Sequence, residues 1–226
     1  MSQDIYKVLT RCIDQFYAEL KGKNIFYQRV LSGHVTVEEF ALFIKNVSFL
    51  TAQTPEHLEA ARQAAEEKGL KTLARFFKAK RLEEADHEKW GEADLAGIQA
   101  RHLKQKQDPD VLPEMKSFVE ANAASIRKDP FLYFVYILFA EYFTVIAGPE
   151  CLAAVERSTK IPRELMSIID KHAELDKDHV QDWGKQAKQV GLVQAQEPYY
   201  IEALQGVFER YSRFATALSR SRSKAA

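Results

Sequence analysis

A chain of 226 residues can bury a large core, as one domain or two small ones. Lys+Arg and Asp+Glu both number 32, so the formal net charge is zero, which argues against a dedicated nucleic-acid binder that works by neutralising phosphates. Cys12 and Cys151 are far apart and match no paired framework, which points to a reducing, cytoplasmic setting.

The start, Met1-Ser-Gln-Asp-Ile5, lacks a basic segment followed by an apolar one, so no signal peptide is expected. Ile5, Val8, Leu9, Cys12, Ile13, Phe16, Tyr17 and Leu20 recur at helical steps, and Gly22 is expected to end that helix. A short segment from Ile25 to Leu31 stops at Ser32-Gly33. Thr36-Val-Glu-Glu39 is a capping-box pattern that opens a helix with Phe40, Phe43, Ile44, Val47 and Leu50 on one face. Thr54-Pro55 is read as the start of a separate helix ending at Gly69. Leu70 to about Ala100 then forms one longer helical stretch. Asp108-Pro109-Asp110 and Pro113 mark a loop and a restart.

Asp129-Pro130 caps an apolar run from Phe131 to Ala147, which Gly148-Pro149 is expected to close. That run is short of the ~20 residues a membrane span needs and carries Glu141, so it reads as a buried core helix and no membrane association is expected. Pro162 starts the next helix, which ends near Gly191, and Pro198 precedes a last amphipathic helix. The expectation is one all-α domain over residues 1–218, with residues 219–226 as a frayed tail.

The chemistry concentrates in His172-Ala-Glu-Leu-Asp176-Lys-Asp-His179. At 3.6 residues per turn, positions 172, 176 and 179 fall within about 60° of one another. Upstream, Glu84-Ala-Asp-His87 is a second pair one turn apart, and Glu83 is a geometric rival to Glu84. Glu141 interrupts the apolar run, where a lone carboxylate is costly to bury unless paired or bound to metal. Each piece has a bland reading: Glu-x-x-His pairs decorate many surface helices, i,i+4 pairing explains many His/Asp runs, and Glu141 can be a structural acid. The combination is more specific, because carboxylate metal sites in helical bundles draw ligands from separate helices. Three imidazoles and three carboxylates without a thiolate suit two iron ions, or manganese, better than structural zinc. Such a centre leaves positions for dioxygen as co-substrate, and the Phe- and Tyr-rich helix offers a pocket for a small organic substrate.

On these motifs the chain resembles the haem-oxygenase-like di-metal oxidases and oxygenases, which include an iron-containing redox enzyme family. They share a helical bundle of about seven helices with haem oxygenase, the TenA thiaminases and the quinone synthase PqqC. The His-x-x-x-Asp-x-x-His helix matches His172, Asp176 and His179, a central glutamate matches Glu141, and an earlier pair matches Glu84 and His87. The resemblance implies a non-haem iron oxidoreductase acting as a homodimer. Its alternative is a non-catalytic or TenA-like helical ligand-binding protein, with Cys151 as the candidate nucleophile or simply a packing residue. Haem oxygenase itself fits poorly, because the first histidine is His34 and the glycine-rich distal helix is missing. Relatives of the chlamydial death-domain-associating protein place a glutamate seven residues before the histidine; here that position is Lys80. Lys80 is expected at the edge of the site, where its ammonium either neutralises surplus carboxylate charge or snorkels outward as a surface lysine. His34, His57 and His102 are expected on the surface or in structural roles.

Overall fold

The structure, a computed structural model, describes residues 4–103 and 109–220. Among them are nine α-helices and no strand. They are α1 (Ile5–Lys23), α2 (Ile25–Leu31), α3 (Val37–Glu67), α4 (Lys71–Glu83), α5 (Glu88–Arg101), α6 (Pro113–Lys128), α7 (Pro130–Thr159), α8 (Ser167–Val190) and α9 (Glu197–Arg220). The frayed-tail boundary expected at 219 falls inside α9, and residues 221–226 lie outside the described residues, as does Asp108.

Local chemistry sets most of the boundaries. Asn24 sits between α1 and α2, and its side chain accepts the Phe26 amide at 3.0 Å. Thr36 and Glu39 close the expected capping box, and Glu39 is also held by Arg29 at 2.9 Å. Asp129 caps α7 by accepting the Phe131 amide at 3.0 Å. Asp94 on α5 caps α8 from a distance, accepting the Ile168 amide and the Ser167 hydroxyl, both at 2.8 Å.

Two expected breaks are absent and one unexpected break appears. Thr54-Pro55 opens no new helix: Pro55 lies inside α3. Phe40, Ile44, Leu58, Ala61 and Ala65 form one buried stripe along α3, and this packing offsets the hydrogen bond that proline cannot donate. Gly148-Pro149 does not close α7, which runs on to Thr159. A Cβ on Gly148 would lie 3.2 Å from Ala173 Cβ, so this glycine serves the close approach of α7 to α8. Conversely, the stretch expected as one helix from Leu70 to Ala100 is broken at residues 84–87, where Asp86 takes a left-handed φ of 71°.

The centre of the bundle is α7, which packs against α1, α2, α3, α6, α8 and α9. Residues 132–139 are all buried, as expected of a helix apolar on every side. Among the described residues α7 is the one helix long and apolar enough to cross a membrane, but 67% of its apolar window is buried inside the bundle.

Candidate metal centre

The structure brings the six sequence-predicted residues together as two groups of three: Glu84, His87 and His172, and Glu141, Asp176 and His179. They come from the broken α4–α5 junction, the middle of α7 and one face of α8. In each group, one ligand atom per residue lies within 4.8 Å of the others. Glu84, Glu141, His172 and Asp176 all line one cavity of about 130 Å³. The two carboxylate/His clusters therefore fit a di-metal site.

The first group is a compact triangle. Nδ1 of His87 is 3.2 Å from Glu84 Oε2 and 3.2 Å from His172 Nε2, and the third side, His172 Nε2 to Glu84 Oε2, is 3.7 Å. A triangle of that size has a point about 2 Å from every corner, which is the length of a metal–nitrogen or metal–carboxylate bond. His172 donates Nδ1–H to the Ile168 carbonyl at 2.5 Å, so its Nε2 presents a lone pair to the other two ligands. The His87 ring stacks on Trp90 with centroids 4.0 Å apart, which fixes its plane. Burial pushes the Glu84 carboxyl up, but hydrogen bonds to His172 and His87 outweigh it and hold the group well below the usual carboxylate range. Burial lowers His172, and the hydrogen bond with Glu84 reverses this, leaving it raised. Glu83, the rival to Glu84, turns to the other group, with Oε2 3.7 Å from His179 Nε2.

The second group is more deeply buried. Glu141 and Asp176 are each 4% exposed. His179 Nδ1 is 3.1 Å from Asp176 Oδ1 and 3.6 Å from Glu141 Oε1. The hydrogen bond to Asp176 raises the His179 pKa. Glu141 Oε2 accepts the Trp183 indole N–H at 2.5 Å. Its Oε1 is buried without an aligned hydrogen-bond donor, although Lys80 Nζ lies 2.7 Å away. Glu141, Asp176 and His179 together present the carboxylate and imidazole donors that a cation takes.

Of the two placements open to Lys80, the structure shows the inward one. Its side chain is 4% exposed, with Nζ 2.7 Å from Glu141 and 2.9 Å from Glu83. Burial disfavours the charged amine, but the two carboxylates outweigh that and raise its pKa. The acidic groups of α7 and α8 draw the ammonium inward, where snorkelling would leave them uncompensated.

Residues without a place in the site behave as expected. His34 is exposed and His102 ends α5. His57 is a buried edge-on partner of Tyr133. Trp90 and Trp183, the chain's two tryptophans, were not anticipated, yet each lies one helical turn after a predicted ligand, His87 and His179, and packs on the site.

A second cavity, also about 130 Å³, adjoins the first. They share Val47, Leu50, Tyr136, Ala140, Thr144 and Ile169. Among the described residues no charged side chain lines it, and the Tyr27 and Tyr211 hydroxyls satisfy each other at 2.6 Å. Cys151 lies in its wall, and burial pushes the thiol up to about 11. A wider surface groove between α1 and α9, about 760 Å³, shares no residue with the metal cluster.

Comparison with solved structures identifies the architecture. A domain of unknown function with a haem oxygenase-like fold from Shewanella denitrificans OS217 superposes with a TM-score of 0.82 at 16% identity, over 99% of this chain and 95% of that one. This chain has the haem-oxygenase-like fold. A CADD-like protein of unknown function from Nostoc punctiforme PCC 73102 shares it, with a TM-score of 0.70 at 12% identity over 95% of this chain and 98% of that one. No family and no curated protein matches the sequence. Haem-oxygenase-like bundles take their name from haem, but here the centre of the bundle holds two carboxylate/His clusters.

Proposed function

We propose that the protein is a non-haem iron-dependent oxidoreductase that uses dioxygen at a dinuclear site to oxidise a small organic substrate. The observation that carries the reading is a pair of carboxylate/His triads, four of whose six residues line one cavity that adjoins an apolar one. Iron, or manganese in its place, would supply the redox chemistry and the binding of dioxygen. Glu84, His87 and His172 would hold one ion, and Glu141, Asp176 and His179 the other. The chain's own contribution is positioning and exclusion of water. Ile168 and Trp183 orient His172 and Glu141, Trp90 fixes His87, and the uncharged cavity receives an apolar substrate body. A cytoplasmic homodimer belongs to this reading, and the two free cysteines agree with a reducing compartment.

The competing reading is a ligand-binding or TenA-like protein of the same fold. The apolar cavity supports a binding role, but the raised Cys151 pKa counts against a thiolate nucleophile. Anaerobic addition of Fe(II), then oxygen, separates the two. The proposal expects bound iron, oxygen uptake and a change in the optical and Mössbauer spectra. It also expects His172→Ala to lose more iron than His102→Ala. Equal iron in those two variants, or no iron in the wild type, would leave the binding-protein reading standing.

A further inference from the structure

The two triads differ in one respect: the second already contains a cation. Lys80 Nζ is 2.7 Å from Glu141 Oε1, 2.9 Å from Glu83 Oε2 and 3.0 Å from His179 Nδ1. Two of those three partners are the residues expected to bind metal in the second triad. His179 Nδ1 is placed between opposing demands. It can accept from Lys80 or donate to Asp176, 3.1 Å away, but one nitrogen cannot do both. The first triad has no such guest: its ligand atoms face one another.

We infer that Lys80 is the resident cation of the second triad, so that the two triads load in order. Glu84, His87 and His172 take the first metal ion, and Glu141, Asp176 and His179 take a second only as the Lys80 ammonium withdraws. This rests on the metal-binding reading proposed above. The argument is one of space and charge. A divalent ion bonded to Glu141 and His179 needs the lone pairs that now face Nζ. An ammonium left at hydrogen-bond distance from the same atoms would repel it. Glu83 gives the displaced ammonium somewhere to go, because its side chain is 47% exposed and already touches Nζ. A lysine swung onto Glu83 keeps its ion pair while it leaves the buried carboxylates.

Anaerobic titration with Fe(II) alone, and in parallel with Mn(II) alone, tests this by calorimetry and by counting bound metal. The wild type is expected to bind one ion, then a second at least roughly tenfold more weakly, a gap of the size that ligand-supporting groups produce. Lys80→Met should strengthen the second step by about that factor and leave the first unchanged. Two equal steps in the wild type, or a second step that Lys80→Met does not alter, would overturn the inference. No metal in either protein would instead remove the reading on which it rests.

Should Lys80→Met fail to fold, amine labelling of the wild type followed by peptide mass spectrometry decides the matter. Lys80 should resist labelling without metal and after one equivalent of Mn(II), and become labelled at saturation. A Lys80 that labels equally in all three states, or in none, overturns the proposal.

Discussion

The Trp183 indole donates to Glu141 Oε2, so the other carboxylate oxygen is turned toward His179 and Lys80. Trp183 is fully buried and lies edge-on to Phe134 at 4.5 Å between centroids. One bond therefore connects the aromatic core to the candidate metal centre. It also answers a question of cost, because a buried carboxylate with both oxygens unpaired would be expensive to keep.

Trp183→Phe should remove that donor while keeping an aromatic ring. The loss leaves Glu141 Oε2 unsatisfied and is expected to cost about 1–3 kcal/mol of stability, with a cavity contribution on top. It should also weaken metal at the Glu141 triad by roughly 10–100-fold while sparing the His172 triad. Chemical denaturation and metal titration together read both effects. A variant that is destabilised but binds the second ion normally would show that Trp183 packs the core without orienting Glu141.

Gly91 sets how closely α5 approaches α3 and α8. A Cβ there would lie 2.7 Å from Ile168 Cδ1 and 2.8 Å from Ser48 Cβ, inside any tolerable contact. Gly91 is one turn beyond His87, and Ile168 holds His172, so the contact lies beside the first triad. Gly91→Ala should cost about 1–3 kcal/mol through overpacking. Gly22→Ala is the control: nothing lies within 4 Å, and the residue is helical. That change should stabilise by roughly 0.5–1 kcal/mol. Thermal melts of the two variants are expected to move in opposite directions, with metal affinity lowered only in Gly91→Ala.

Much of this site was legible in the sequence because helix periodicity puts chemistry in register. His172, Asp176 and His179 are separated by four and three residues, and that spacing alone places them on one face. Glu141 stood out because a carboxylate is conspicuous in an apolar helix. Lys80 stood out as the position where relatives carry a glutamate, but its direction did not follow, because a lysine on a charged helix is ordinarily a surface residue. Its inward turn depends on Glu141 and Asp176, which lie on helices far along the chain. The misplaced breaks have the same origin. Pro55 and Pro149 are local helix-breaking signals overridden by buried faces on both sides, whereas the break at Asp86 has no glycine or proline to announce it. Local rules read boundaries well where caps decide them and poorly where packing does.

The stabilisation that metal confers should grow with pH. In the metal-free chain the His172 and His179 pKa values are raised above the ordinary 6.5. For a raised histidine the folded state holds its proton more tightly than the unfolded chain. Its stabilising contribution is then complete below the unfolded value and is lost as pH climbs through the folded one. Metal-free stability from these two groups should therefore decline as pH rises from the unfolded value through the raised folded ones. Metal binding runs the other way, since coordination requires neutral imidazole and releases any bound proton. Over that interval the rise in Tm on adding Mn(II) should grow steadily, and it should shrink in His172→Ala. Melting curves at several pH values, with and without Mn(II), measure both slopes. A metal-induced rise in Tm that is flat with pH would mean that the ion binds without displacing protons from His172 or His179, and would argue against the ligand assignment.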